Sequence, residues 1–205
     1  MKRTMSAALL LGLFAAMASA ATVESVNTVG YKTLDVAGGK FNMLALNWDE
    51  IGGSDISIQN LFDASTLTAG GGAGSADQLL VWDPTTSGYT TYFLYTSGGT
   101  YPSWDGKWAD LATGYPSSDT FAKGTAFWLS TRGADTQITL NGEVPTLASD
   151  AKVITAGTFT MIGSSFSADM ALNSGYDWLA AGATAAGGSG TADNILVWDP
   201  TTSGY

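Results

Sequence analysis

The ten residues LVWDPTTSGY stand at 80–89 and again at 196–205. Each copy begins with apolar strand formers, turns at Asp-Pro, and resumes at Gly-Tyr. Asp83-Pro84 opens a turn because Pro presets φ and the Asp carboxylate accepts hydrogen bonds from the backbone that follows. Gly88 can take a positive φ where the chain rejoins the sheet. The stretch is therefore a strand, a turn and the start of a second strand. Leu79-Leu80-Val81-Trp82 is apolar at every position, as expected of a central strand covered on both faces, with Trp82 buried in it. Asp83 and Asp199 are capping residues on this reading rather than acids or ligands.

The match extends outward from the decapeptide. Ser75-Ala76-Asp77-Gln78-Leu79 answers Thr191-Ala192-Asp193-Asn194-Ile195, 116 residues later. Upstream, Gly39-Lys40-Phe41-Asn42-Met43-Leu44 answers Gly157-Thr158-Phe159-Thr160-Met161-Ile162, 118 residues later, so a loop differs by two residues. A period this long suits a duplicated domain rather than a solenoid unit. The expected organisation is a complete domain at 21–145, a linker at 146–150, and the first half of a second, truncated repeat at 151–205. The second copy has no counterpart of 90–144, which suggests a fragment of a longer repeat protein; completion by strands of another chain is the competing reading.

Short β-branched and aromatic runs separated by Gly, Ser and Thr turns predict an all-β antiparallel sandwich. Strands are expected at 28–36, 40–46, 78–82, 89–95, 125–130 and 137–144. The last alternates cleanly, with Ile138, Leu140 and Gly142 on one side. One short helix is expected at 56–64, where Ile58, Leu61 and Phe62 share a face and Ser54 or Asp55 can cap it.

The N-terminus reads as a signal peptide over 1–20. Lys2 and Arg3 precede an apolar run too short to span a bilayer, and Ala18-Ser19-Ala20 supplies a cleavage pattern. The expected location is extracellular or on the outer cell surface, with no membrane span after cleavage. Removing the leader takes the net charge from −10 to −12, a balance that repels nucleic acid and anionic lipid. The chain has no cysteine and no histidine. That removes histidine-based nucleophile systems and the usual zinc and copper sites, and it argues against an enzyme.

Two clusters are candidates for binding. Tyr101, Trp104, Asp105 and Trp108, with Tyr115 after them, resemble a glycan platform: aromatic faces carry the apolar face of a pyranose while Asp and Lys bond its hydroxyls. The competing reading folds Trp104 and Trp108 back over a sheet face, and it is preferred. Asn47, Asp49, Glu50 and Asp55 crowd one loop as candidate calcium ligands, although their spacing fits no EF-hand. No other cofactor is expected. Paired acids such as Asp105 and Asp110 carry little signal for glycoside hydrolysis, because separation in space decides that chemistry.

Several motifs together resemble a tandem β-rich repeat of large secreted and surface proteins of environmental Gram-negative bacteria. They are Thr28-Val29-Gly30-Tyr31, Phe41-Asn42-Met43-Leu44-Ala45, Ile58-Gln59-Asn60-Leu61-Phe62, the stretch 77–82, Lys123-Gly124-Thr125-Ala126-Phe127-Trp128 and Ile138-Thr139-Leu140-Asn141-Gly142-Glu143-Val144. The resemblance implies export, repetition and β structure, and it carries over no site residue. The expected function is a non-enzymatic structural or adhesive repeat protein, with neighbouring repeats as partners. A carbohydrate-binding module with polysaccharide as partner is the alternative.

Overall fold

The computed structural model describes residues 28–146, 149–166, 168, 171–172, 175, 177–199 and 201–205. The leader expected at 1–20 and part of the linker expected at 146–150 lie outside them. Among the described residues there are nine strands: β1 (Val29–Val36), β2 (Phe41–Ala45), β3 (Ile56–Ser57), β4 (Gln78–Asp83), β5 (Gly88–Leu94), β6 (Trp108–Asp110), β7 (Thr120–Phe121), β8 (Ala126–Ser130) and β9 (Thr136–Glu143). A five-stranded sheet runs in the order β2-β8-β4-β5-β6, faced by a β1-β9 ribbon, with a short β3-β7 ladder beside them. Every pair is antiparallel. The fold is an all-β sandwich.

The period of two along each strand sorts side chains between the two faces. Leu44, Leu79, Tyr92, Leu94, Phe127 and Leu129 point inward and meet Val36, Ile138 and Leu140 from the ribbon. Tyr92 donates its hydroxyl to Asp119 Oδ2 at 2.6 Å, and burial together with that carboxylate pushes its pKa up. β4 lies between β5 and β8, which is the central position its apolar run predicts. Leu79 is buried on its inner side. Trp82, however, sits on the outer face and is only half-buried, because its register partner is Tyr89 at the solvent end of the hairpin. The expectation of a core Trp82 is thereby corrected.

The ribbon closes on Trp48. Gly30 and Gly142 are register partners, and a Cβ at either would overlap Trp48. The indole covers this pair of glycines and is itself buried.

The helix expected at 56–64 is absent. Ile56–Ser57 is strand β3, and Ile58 N–H donates to Asp119 O at 2.9 Å beside β7. That pairing leaves room for a single 3-10 turn, Ile58–Asn60. Its cap is Ser57, whose hydroxyl accepts from Gln59 N–H, rather than Ser54 or Asp55.

Local structure recurs in the second copy of the sequence. Asp83 Oδ1 accepts from Thr85 N–H at 2.8 Å and from its hydroxyl at 2.6 Å, and Asp199 Oδ1 does the same with Thr201 at 2.8 and 2.6 Å. Those threonine hydrogen bonds hold both exposed carboxyls below the ordinary aspartate range. Asp77 Oδ2 accepts from Thr68 N–H at 2.8 Å, and Asp193 Oδ2 from the corresponding Thr184 N–H at 2.7 Å. Among the described residues the sheet does not recur. Asn194–Val197 correspond to the start of β4, yet no described strand lies alongside them, and Ile195, Leu196 and Val197 are exposed.

Candidate functional site

The loop between β5 and β6 builds an exposed aromatic cluster. Ser97 and Asp105 close its base: Asp105 Oδ1 accepts from Ser97 N–H at 2.6 Å and from its hydroxyl at 2.9 Å. Ser97 Oγ in turn accepts from Tyr101 N–H at 2.8 Å. These bonds from Ser97 lower the Asp105 pKa. The closure is fully formed above the ordinary aspartate pKa and is lost as acid protonates the carboxylate. Gly98, Gly99 and Gly106 take positive φ, the conformation that such a tight path requires.

Successive turns then bring the rings together. Trp104 N–H donates to Tyr101 O at 2.9 Å, which stacks Tyr101 on Trp104 with centroids 5.0 Å apart and planes 20° apart. Asp110 Oδ1 accepts from Thr113 N–H at 2.8 Å, and Asp110 N–H donates to Tyr115 O at 2.9 Å. This second turn returns Tyr115 to the edge of Trp104, at 5.3 Å. Tyr95, the residue after β5, supplies a fourth ring at 6.0 Å. Tyr101 and Tyr115 are 52% and 63% exposed, and Trp104 lies half-buried between them.

Two of the residues expected in a glycan platform are engaged within the protein instead. Trp108 is 1% exposed and points into the core, edge-on to Phe62 at 6.0 Å. Gln59 fixes its backbone: Trp108 N–H donates to Gln59 Oε1, and Gln59 Nε2 donates to Trp108 O, both at 2.9 Å. Trp104 and Trp108 are an even number of residues apart, but the turn at Gly106 breaks the strand period and sends them to different places. Asp105 uses Oδ1 to close the loop rather than to present it to a ligand. Tyr95 was missed because it reads as the end of a strand, and only the loop's return to it reveals its role.

The candidate calcium ligands are dispersed. Asn47 Nδ2 donates to Ser164 O at 2.7 Å and Phe166 O at 3.2 Å. Asp49 is paired with the Lys123 ammonium at 2.7 Å, which places a cation of the protein's own there. Glu50 Oε1 accepts from Asn60 at 3.2 Å. Among the described residues no three acidic groups stand together as a metal site.

The outer face of the five-stranded sheet is the second aromatic surface. Phe41, Leu80, Trp82, Tyr89 and Trp128 share it by register. Its β5-β6 side is covered by the glycine-rich loop, with Ala76 packed against Phe93 and Ala109. On its other side lie residues of the second copy. Trp198 meets Trp128 edge-on at 4.8 Å, and Trp82 Nε1–H donates to Phe159 O at 2.6 Å. Phe41, Leu80, Tyr89, Trp128, Trp198 and Tyr205 line a cavity of about 310 Å³ between them.

No protein family, characterised protein or solved structure matches the chain. Among the described residues no helix is long and apolar enough to cross a membrane.

Proposed function

We propose that this is a non-enzymatic structural or adhesive repeat protein, exported to the cell surface or beyond it. The observation that supports this reading is where its aromatic residues go. Trp128 and Trp82 on the outer sheet face meet Trp198 and Phe159 of the second copy, so large side chains connect one copy to the other. A chain organised this way uses its surface to join its own units. Limited proteolysis tests it. A ring pair of this kind is worth about 0.5–1.5 kcal/mol beyond its buried area. Trp198→Ala should therefore raise cleavage within 149–205 by at least about twofold while the sandwich stays resistant. Cleavage of the unaltered protein as fast as the variant would remove the basis for this reading.

A carbohydrate-binding role is the second reading, favoured by the exposed stack of Tyr101, Trp104 and Tyr115. The rings offer flat apolar faces, and the net charge of −10 disfavours nucleic acid as the stacking partner. On a polysaccharide array, Trp104→Ala should weaken any bound glycan by about 0.5–1.5 kcal/mol, roughly twofold to tenfold. A glycan bound equally well by the variant would place the site elsewhere.

A further inference from the structure

Some of the contacts between the two copies are reciprocal when written in corresponding positions. Ala45 corresponds to Gly163, and the two touch: a Cβ at Gly163 would overlap the Ala45 methyl. Tyr89 corresponds to Tyr205, and both line the same cavity. Trp82 reaches Phe159; in corresponding positions this pair is Trp198 and Phe41, which line that cavity together. Ala45 thus meets its own counterpart, Tyr89 shares a cavity with its own, and Trp82 with Phe159 is mirrored by Trp198 and Phe41 on the wall of that cavity. This is the pattern of an isologous interface, in which the same patch serves on both sides and residue i meets j while j meets i. The reciprocity is partial, as the two indoles show. Trp82 Nε1–H finds Phe159 O, whereas Trp198 Nε1–H is buried without an acceptor among the described residues.

We propose that the outer face formed by β2, β8, β4 and the start of β5 is a self-complementary surface whose partner is another copy of the same face, on a second molecule of this chain. Self-complementarity rests on the inter-copy packing that supports the structural reading, and a patch that accepts its own counterpart within one chain carries the same side chains to a neighbouring chain. Phe41, Trp82, Tyr89 and Trp128 provide the apolar area. Ala45 sits against its counterpart Gly163, where a side chain would overlap its methyl. Tethering favours the internal partner, because a linked segment competes at high effective concentration. The face becomes available to a second chain when the tethered copy is displaced.

Gly163→Leu places a wedge against Ala45 and leaves every residue of the first copy unchanged. The full-length chain and this variant are compared by sedimentation and by limited proteolysis. The unaltered chain should be monomeric with 149–205 protected. Gly163→Leu should lose that protection, and its mass should double at concentrations where the parent stays monomeric. Adding Trp82→Ala to Gly163→Leu should abolish the dimer while the sandwich still melts cooperatively. A Gly163→Leu chain that exposes 149–205 but remains monomeric overturns self-complementarity and leaves the inter-copy packing standing. So does open-ended aggregation without a dimer, or a dimer that Trp82→Ala leaves intact. If 149–205 is as readily cleaved in the unaltered chain as in the variant, the packing reading fails with it.

Discussion

Trp108→Ala should destabilise the sandwich by about 3–5 kcal/mol, the range for deleting a large buried aromatic side chain. That is a large share of the roughly 5–15 kcal/mol that holds a domain of this size together. The ring is almost wholly enclosed and stands edge-on to Phe62, and its backbone is held on both sides by Gln59. Removing it opens a cavity beneath β6, whose backbone is held by β5 on one side and by the 115–117 segment on the other and so resists closing over the space. Trp104→Ala, four residues earlier, should cost less, about 0.5–1.5 kcal/mol, since its ring partners are the exposed Tyr101 and Tyr115 and the half-buried Tyr95. Urea denaturation of the two variants side by side measures the difference. Equal losses would mean that the loop does not separate the two tryptophans as described.

This pair of tryptophans also marks what the sequence discloses and what it withholds. The alternation of 137–144 and the two-sided apolar run at 79–82 identify β9 and β4, because the strand period is local and the side chains display it. The turn at Asp83 is equally legible, and it forms with the same hydrogen bonds at Asp199, where the described residues make no surrounding sheet. The direction of Trp108 was not legible. It depends on Gly106 breaking the period and on Gln59, forty-nine residues away, claiming the backbone. The 56–64 segment failed similarly: its apolar spacing fits a helix, but pairing with β7 takes the backbone first. The engagement of Asn47 and Asp49 elsewhere has the same origin, since Lys123 and the 164–166 backbone arrive from far along the chain. The outer aromatic face could be read only after register had sorted odd positions from even ones across β2, β8, β4 and β5.

Asp77→Ala should be the other severe substitution, although nothing in Ser-Ala-Asp-Gln announces it. The carboxylate is 1% exposed and bonded at both oxygens, with Oδ2 accepting from Thr68 N–H at 2.8 Å and Oδ1 from Arg132 N–H at 2.5 Å. Its own backbone N–H donates to Thr68 O at 2.8 Å, and its carbonyl accepts from Leu94 N–H at 3.0 Å. One residue therefore joins the entry to β4, the end of β5 and the segment after β8. Alanine would take the buried acceptor away from two part-buried backbone donors, at about 1–3 kcal/mol each, so the expected loss is about 2–6 kcal/mol. Asp77→Asn keeps one acceptor and should lose less. Asp193 is the internal control: it accepts from Thr184 N–H in the same local geometry, but it is exposed, so water can replace the lost oxygen. Asp193→Ala should stay within about 0.5 kcal/mol, as surface substitutions do. Denaturant titration of the three variants separates the causes. If Asp193→Ala cost as much as Asp77→Ala, the local turn rather than the burial of its acceptor would be what stabilises the entry to β4.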